Sequence, residues 1–440
     1  MRAAAFLYPW DVVGDPDAPR RLADLGVRQV TLASAYHSTR ALTPRHPRTR
    51  VVTARHSAVL YPADPARWDG RALRPYAQEW MDTRDPFGDA ARALTGAGLE
   101  VHSWVVLAHN SRLGEEHPHT SVRNAYGDRY PWAPCVARSD VRAYAAALAA
   151  EAAVRPGARG TELESCGWYG LAHLHAHDKI GGMPPGPVTE QLMSLCFCAA
   201  CRSGYAEGDA DPDDLADAVR RALAPLWHGA PEPRADTAAG EWAAVAELLG
   251  AERASAVAAW RDGAASRFQR ETVAAVRASA RAEGATRFRV LLHAQPGAHK
   301  CGANAGTRPD DVLAHADGVV VPCAGGAEAR TAVLAPYARA VAARARRADG
   351  TVRREGGTGV NDGRTDGVLG ADGTHGTGTD AVTVAANLPV VAGMGGSPHT
   401  LAEDAAHARA LGAHELRLYH AGLASDRDLV RVRDALSRIG

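Results

Sequence analysis

The chain lacks an excess of charge of either sign and lacks any long apolar run. Its 440 residues include 50 basic and 50 acidic side chains, so no net field attracts nucleic acid or an anionic membrane. No stretch approaches the ~18 apolar residues of a membrane span, and Pro9, Trp10 and Asp11 interrupt the apolar start before it resembles a signal sequence. The seven cysteines show no regular disulfide spacing. We therefore expect a cytoplasmic protein with reduced thiols and no nucleic-acid or membrane partner.

Nucleotide-binding signatures are also missing, because no G-x-G-x-x-G follows the first apolar run and no P-loop occurs. Short β-rich runs instead alternate with longer helical runs, and repeated βα units indicate a parallel sheet. Eight such units favour a closed (β/α)8 TIM barrel over an open doubly wound sheet. The β-rich runs are 3–8, 27–37, 101–110, 160–170, 288–295, 316–323, 382–391 and 415–422. We predict an α/β fold in which one (β/α)8 barrel spans residues 1–440.

Two segments do not follow this alternation. Residues 202–262 read as an α-helical insertion after the fourth strand, and residues 350–380 are dominated by Gly, Asp and Thr. The second segment predicts a long loop, and a loop of that length in a compact domain is either functional or disordered.

Three cysteines cluster in the run Cys196-Phe197-Cys198-Ala199-Ala200-Cys201. A structural zinc is held by four ligands, so a fourth must come from elsewhere in the chain. We choose Cys135, because it follows the third strand and the loops after strands three and four are neighbours in a barrel. The alternatives are ordinary buried thiols, or a redox pair that would lack its usual strand-to-helix context.

The spacing P-C-x-x-x-S around Cys135, followed by C-F-C-x-x-C after strand four, resembles family 42 glycoside hydrolases. Those β-galactosidase-type (β/α)8 barrels carry a four-cysteine zinc site in this place, and related glycosidase-like barrels look similar. The resemblance implies a structural zinc that holds two active-site loops in register. It also implies that Glu164, at the end of strand four, is the acid/base residue.

Glu162 and Glu164 share one face of the fourth strand, because side chains at i and i+2 point the same way. A carboxyl in an apolar pocket beside tryptophan can keep its proton near neutral pH and donate it to a leaving oxygen. The like charge of the neighbouring glutamate would raise one of the two pKa values further. The alternative is that one glutamate is buried against an arginine inside the barrel.

The chain departs from the resembled family at two positions. Leu163 stands where that family has an asparagine before the acid/base glutamate, and strand seven ends at Asn387 without an acid. Glu162 and Glu164 would then act as a pair on a substrate whose own acetamido group attacks, or Asp11 would activate water. A third option is a glycosidase-like protein with another activity.

Histidines and aromatic residues gather near the predicted strand ends. His173, His175 and His177, followed by Asp178, suit a transition metal if the segment is extended. Strand-end imidazoles suit sugar hydroxyls or a metal, and strand-end aromatic rings suit sugar faces, although packing at the rim is an equal alternative. Tyr36 and His420 belong to this strand-end group. The predicted substrate-binding residues are Tyr8, Trp10, His37, His109, Asn110, Trp168, His173, His175, His293 and Tyr419.

The sequence therefore predicts a carbohydrate-active, glycoside hydrolase-like enzyme that uses Glu164 as proton donor and contains a structural zinc. The partner is a small carbohydrate or glycoside, and a homo-oligomer is compatible with the sequence. One alternative is a metal-dependent lyase, isomerase or hydrolase built on the histidine cluster. Another is a sugar-binding barrel that has lost its nucleophile and does not catalyse.

Overall fold

The computed structural model describes residues 1–171, 179–183, 185–355 and 382–439. Within these residues, eight parallel strands pair in sequence order, and the first strand pairs with both the second and the last. The sheet is therefore closed, and the predicted (β/α)8 TIM barrel is confirmed. The strands are β1 (Arg2–Leu7), β2 (Gln29–Tyr36), β3 (Glu100–Val106), β4 (Ala158–Glu164), β5 (Arg289–Pro296), β6 (Gly318–Pro322), β7 (Thr383–Pro389) and β8 (Glu415–Tyr419).

A helix follows each barrel strand before the next one begins. These helices are α1 (Ala18–Asp24), α2 (Pro86–Gly96), α3 (Ser139–Ala153), α4 (Ala251–Ala282), α5 (Pro309–His315), α6 (Ala327–Glu355), α7 (Leu401–Ala410) and α8 (Asp426–Ile439). In the part of the chain that the structure describes, no helix combines the length and the apolar character needed to cross a membrane.

The connection between β4 and α4 is largely helical. Its helices are Pro187–Met193, Ala199–Glu207, Pro212–Trp227 and Ala238–Leu249. The single-domain organisation, with an insertion bounded at 202–262, stays a prediction. The Gly-rich segment predicted at 350–380 falls almost entirely on residues outside the described ranges.

Short elements cover the C-terminal end of the barrel, which we call the mouth. Two antiparallel hairpins follow β2 and β3, and further short helices, 3-10 turns and strands complete the loops. These elements are Pro9–Asp11, Thr39–Leu42 with Val51–Ala54, Ala58–Val59, Pro65–Trp68, Ser111–Glu116, Pro118–Thr120, Ser121–Arg123 with Arg129–Pro134, Ala305–Thr307, Ala392–Met394 and Ala421–Leu423.

The interior of the barrel changes in character from bottom to top. Leu291, Val320 and Ala385 form a small apolar cluster inside the strands. Nearer the mouth, Phe6 and Trp104 belong to a separate aromatic cluster that the hairpin after β2 helps to cover. Strands buried on both faces form because their runs are almost continuously apolar. Charged side chains placed inward on such strands must therefore find partners within the barrel.

Candidate active site and metal centre

Glu164 is the last residue of β4, and its side chain is enclosed near the mouth. The residue is 3% exposed, and its Oε2 accepts a 2.8 Å hydrogen bond from the indole Nε1 of Trp104 on the adjacent strand β3. Burial raises the pKa of Glu164 above its usual value, against the opposing effects of His293 and the Trp104 N–H. The tryptophan beside the acid is thus Trp104.

Glu162 lies two residues before Glu164 on the same face of β4, deeper in the barrel. Its surroundings lower the pKa of its carboxyl, whereas those of Glu164 raise it. Its Oε1 accepts a 2.6 Å bond from Nε of the fully buried Arg417, and Arg417 Nη2 lies 2.8 Å from Glu415 Oε2. Burial alone would raise the pKa of Glu162, but the Arg417 guanidinium and the His293 imidazole hold it at about 2. Glu162 is therefore an ionised, paired group of the barrel interior.

His293 on β5 lies between the two glutamates. Its Nε2 is 3.5 Å from Glu162 Oε2, and its Nδ1 is 3.8 Å from Glu164 Oε2. The ring is parallel to that of Trp104, with centroids 6.4 Å apart and planes 10° apart, and only 2% of the residue is exposed. The structure thus brings together His293, Glu162 and Glu164, all three of which the sequence predicts as site residues.

Several of the aromatic residues that the sequence predicts to pack against sugar rings lie near Glu164. Tyr8 donates its hydroxyl proton to Tyr36 over 3.0 Å, and its ring stacks on Trp10 with centroids 4.5 Å apart. Tyr36 and Tyr419 both contact the Trp104 ring edge-on, at 4.6 and 6.2 Å between centroids. Burial raises the pKa of Tyr8 and of Tyr36 well above the usual value, so both hydroxyls stay protonated.

Three histidines border this aromatic cluster. The rings of His37 and His109 are 5.0 Å apart, and His109 stacks on Tyr169 at 4.7 Å. His420 stacks on Tyr8 at 5.4 Å, and burial lowers its pKa to about 3, so this imidazole is neutral at ordinary pH. His420 has a backbone φ of 22°, and among the described residues its buried Nδ1 has no hydrogen-bond partner.

Two residues that the sequence predicts to bind substrate form hydrogen bonds within the protein. Trp168 is 1% exposed, and its indole donates over 2.9 Å to the carbonyl of Arg261, whose guanidinium covers the ring at 4.6 Å. Asn110 caps the helix Ser111–Glu116 by accepting the Leu113 N–H at 3.0 Å. Trp168 is thus enclosed by protein, whereas Asn110 lines a small pocket together with Tyr36 and His109.

Asp11 lies in the turn Pro9–Asp11 after β1, and its Oδ2 accepts the Tyr8 N–H at 2.8 Å. Its carboxyl lines a pocket formed with Asp15, Arg45 and residues of α1. Burial raises the pKa of Asp11 to about 7, although the Tyr8 N–H and Arg45 oppose this rise. The carboxyl therefore borders a pocket at the side of the barrel, next to α1.

The end of β7 carries Asn387, as the sequence indicates, and this residue is 8% exposed. Across the described ranges, its Oδ1 is buried without a hydrogen-bond partner. His173, His175, His177 and Asp178 lie outside the described residues, so the predicted histidine cluster has no structural account here.

Cys135, Cys196, Cys198 and Cys201 converge in a buried cluster. Their sulfur atoms all lie within 4.8 Å of one another, and Cys135 Sγ is 3.6, 3.8 and 3.6 Å from those of Cys201, Cys196 and Cys198. A disulfide would place two sulfurs about 2 Å apart. A tetrahedron with metal–sulfur bonds of about 2.3 Å separates its ligands by ~3.8 Å. The cluster could therefore hold a metal ion, and it is the one such group among the described residues.

Backbone hydrogen bonds fix this cluster between the loops of β3 and β4. The Cys135 N–H donates to the Thr120 carbonyl over 2.7 Å, and the Phe197 N–H donates over the same distance to the Arg123 carbonyl. The Cys198 N–H donates to the Cys196 sulfur over 3.5 Å. The four-cysteine cluster thus ties the hairpin after β3 to the segment that precedes helix Ala199–Glu207.

Sequence reasoning missed two residues of this site, Trp104 and Arg417. Trp104 alternates inward on β3 opposite Glu162, and that alternation was a usable signal. Arg417 is one of two charged residues in the five-residue strand β8, the other being Glu415, and a charge buried there requires a partner. Its pairing with a strand-four glutamate connects residues 255 positions apart and has no local signal.

Several solved structures resemble this chain, and three of them are described here. It is similar to α-L-fucosidase isoenzyme 2 from Paenibacillus thiaminolyticus, with 10% identity and a TM-score of 0.52 over 100% of this chain and 49% of that one. It is also similar to a β-galactosidase from the psychrophilic Marinomonas ef1, with 9% identity and a TM-score of 0.49 over 99% and 59%. A third similar structure is the PgaB (BpsB) glycoside hydrolase domain from Bordetella bronchiseptica. It has 13% identity and a TM-score of 0.47 over 99% of this chain and 98% of that one.

The chain spans about half the length of the fucosidase that it resembles. No protein-family model matches the chain, and no curated protein matches its sequence. At 10% identity, the likeness to the fucosidase shows the barrel fold alone.

Proposed function

We propose that the chain is a carbohydrate-active enzyme of the glycoside hydrolase type in which Glu164 donates a proton to the glycosidic oxygen. The observation that most directly supports this is the burial of the Glu164 carboxyl at the end of β4, which raises its pKa. Catalytic groups of (β/α)8 barrels come from the C-terminal ends of strands. A carboxyl that keeps its proton near neutral pH can act as the general acid.

The two oxygens of Glu164 have different tasks in this proposal. Trp104 holds Oε2, so the proton to be donated is carried by Oε1. The proton passes to the glycosidic oxygen, the C–O bond breaks with its electron pair on that oxygen, and Glu164 becomes a carboxylate. A water molecule forms the new bond to the sugar carbon and releases a proton to solvent, from which Glu164 is later reprotonated. The Trp104 N–H then stabilises the new charge, because hydrogen bonds to ionised acceptors are the stronger ones.

We retain Glu164 alone from the predicted catalytic set. Glu162 is ionised and paired with Arg417, and so it cannot supply a proton at neutral pH. Asp11 borders a pocket beside α1 together with Arg45. Its proposed role as base for an attacking water is therefore the weaker part of the sequence hypothesis.

The sugar would be held by polar atoms and aromatic rings near the C-terminal ends of the barrel strands. His420 Nδ1 and Asn387 Oδ1 are buried without partners in the described ranges, and buried polar atoms require hydrogen bonds. A neutral imidazole and an amide oxygen both suit hydroxyl groups. The partly exposed ring of Tyr419 offers the apolar face that a sugar ring needs.

The proposed metal is a zinc ion bound by Cys135, Cys196, Cys198 and Cys201. Four buried thiols with sulfur separations near those of a tetrahedral site fit this ion. A zinc in a closed four-thiolate site supplies structural cross-linking and does not take part in the reaction. It would hold the hairpin after β3 against the loop after β4.

A second candidate function is sugar binding without catalysis. It is favoured by Asn387, which lies near the C-terminal end of β7, where the resembled glycosidases have a nucleophilic glutamate. An amide at this position can bind a hydroxyl but cannot attack the sugar carbon.

The deciding experiment compares the purified parent protein with Glu164→Gln on a panel of aryl glycosides and oligosaccharides. We expect Glu164→Gln to lose turnover and to retain sugar binding, because an amide cannot donate the proton. Glu328→Gln, the same change at an exposed position, serves as the matched control. Equal turnover by parent and Glu164→Gln would overturn the proposal, and binding without turnover by the parent would favour the second candidate.

A further inference from the structure

The starting point is a groove at the end of the barrel opposite the mouth. Its volume is about 490 Å³, within the ~300–1,000 Å³ typical of sites for small molecules. It lies where α4 passes into β5, beside the first residues of β7 and β8. Its lining includes the ring of Phe288 and four arginines, Arg277, Arg281, Arg287 and Arg289. The groove is thus separate from the proposed active site and brings four like charges together.

The order of the elements explains why these arginines meet. Arg277 and Arg281 are four residues apart near the end of α4, so their side chains lie on one face of the helix. Arg287 belongs to the turn that follows, and Arg289 is the first residue of β5. Like charges four residues apart repel each other and slightly destabilise a helix. The stability of α4 therefore does not account for this arrangement.

Two of the arginines are held in place by carboxylates that also line the groove. Arg277 Nη2 lies 2.6 Å from Asp317 Oδ1, and Arg289 Nη1 lies 3.0 Å from Glu415 Oε1. Arg289 also donates to the Thr383 hydroxyl over 2.8 Å. These contacts orient both guanidinium groups and occupy both carboxylates.

Arg281 and Arg287 have no such partner. Both are exposed, and neither forms an ion pair with any residue in the described ranges. Glu283 belongs to the same connection but does not line the groove. Four guanidinium groups against two carboxylates leave a local excess of two positive charges, although the whole chain carries 50 basic and 50 acidic residues. An anion with two charges would compensate this excess.

We propose that the groove binds a phosphate monoester, with the phosphate between Arg281 and Arg287 and its organic group against Phe288. A phosphate monoester carries close to two negative charges at neutral pH, which matches the excess. The fork of N–H donors on a guanidinium group suits the paired oxygens of a phosphate. The partly buried ring of Phe288 supplies apolar surface for the organic part of the ester.

The first test measures binding to the parent protein by isothermal titration calorimetry at about 0.15 M salt. The probes are phenyl phosphate, inorganic phosphate and benzoate. We expect one phenyl phosphate per chain, bound more tightly than inorganic phosphate because of its ring. Benzoate should bind about tenfold or more weakly than phenyl phosphate, because its single charge compensates half of the excess. No binding of phenyl phosphate at millimolar concentration, or an equal affinity for benzoate or inorganic phosphate, would overturn the proposal.

The second test locates the bound phosphate. Arg281→Gln and Arg287→Gln should each weaken the binding of phenyl phosphate about tenfold, because each removes a charge-assisted hydrogen bond. Both side chains are exposed, so neither change should unfold the protein. Arg267→Gln is the matched control, since this arginine is exposed on the same helix, about four turns before Arg281, and does not line the groove. Unchanged affinity in the two groove variants, or an equal loss in Arg267→Gln, would refute the site.

Neither test uses a glycoside, so the result does not depend on the proposed function. Phosphate binding that requires Arg281 and Arg287, in a protein that cleaves no glycoside, would leave this site standing and remove the function. Turnover that depends on Glu164, in a protein that binds no phosphate monoester, would do the reverse.

Discussion

Trp104 and Glu164 are joined across neighbouring strands by a 2.8 Å hydrogen bond from the indole Nε1 to Oε2. Trp104 stands beside Glu162 in the strand register, so its ring spans two layers of the barrel interior. One face of that ring lies parallel to His293, and its N–H fixes the terminal carboxyl of β4. A single side chain thus sets both the orientation of the acid and the apolar character of its pocket.

The first prediction concerns this hydrogen bond. Trp104→Phe keeps an aromatic ring but removes the N–H, and a bond to a charged acceptor contributes about 1.5–3 kcal/mol. We expect turnover of any glycoside that the parent cleaves to fall roughly tenfold or more. Since the N–H lowers the pKa of Glu164, its loss should move the alkaline limb of the pH–rate profile upward.

Trp168→Phe provides the matched control for Trp104→Phe. It removes a buried indole bond of similar length, to the Arg261 carbonyl, without touching Glu164. Both variants should lose comparable stability, and only Trp104→Phe should change the pH–rate profile. A profile that stays unchanged in Trp104→Phe would contradict the role given to this contact.

The second prediction concerns acid stability. The pKa of Glu162 is about 2 in the folded protein and ~4.3 in an unfolded chain. A lowered carboxyl pKa gives stability that is complete above the unfolded value and is lost as pH falls from there through the folded value. We expect Glu162 to contribute on the order of 3 kcal/mol at neutral pH, measured by urea unfolding between pH 7 and pH 2.5.

Two variants isolate the contribution of Glu162. Glu162→Gln should lose about 3–5 kcal/mol at pH 7, because Arg417 stays buried with its partner gone, and should show a flatter decline in acid. Glu100→Gln removes the half-buried carboxyl whose pKa is also lowered to about 2 by His102 and Arg2. If Glu162→Gln declined in acid as steeply as the parent, the assignment to Glu162 would be wrong.

The sequence predicts those parts of the structure that depend on local periodicity. Alternation of β and helical runs leads to the closed barrel, and the i, i+2 spacing of Glu162 and Glu164 places both inside it. The spacing of Cys196, Cys198 and Cys201 brings three sulfurs together, and the order of barrel loops identifies Cys135 as their neighbour.

Contacts between distant segments were not predictable in the same way. Trp168 follows β4 closely enough to be expected at the mouth, but helix α4 covers it through Arg261, 93 residues later. The division of roles between Glu162 and Glu164 depends on Arg417, which reaches Glu162 only because the barrel closes. Alternation fixes which residues point inward, whereas the pKa of each depends on partners from other strands.

The third prediction concerns the four-cysteine cluster. Purified protein should contain about one zinc per chain, and Cys198→Ser should lose both the metal and part of the free energy of unfolding. Cys166→Ser is the matched control, since Cys166 is equally buried but lies outside the cluster. Elemental analysis and thermal unfolding of the three proteins check this. A parent protein that is free of metal and loses no stability on chelation would remove the zinc site.

The last prediction concerns Asp11 and has the opposite pH dependence. Burial raises its pKa to about 7, so the folded state binds this proton more tightly than the unfolded chain does, whose pKa is ~3.9. Stability should therefore fall as pH rises between these two values. Asp11→Asn keeps an acceptor for the Tyr8 N–H and removes the charge. We expect this variant to be more stable than the parent at pH 8 by about 1–2 kcal/mol, a value that is discounted because the residue is partly exposed.

Asp15→Asn is the control from the same pocket, and it should lower the stability of the protein because it breaks the ion pair with Arg21. Urea unfolding at pH 5 and pH 8 measures both variants, and a loss of stability in Asp11→Asn at pH 8 would show that its carboxylate is a stabilising partner of Arg45.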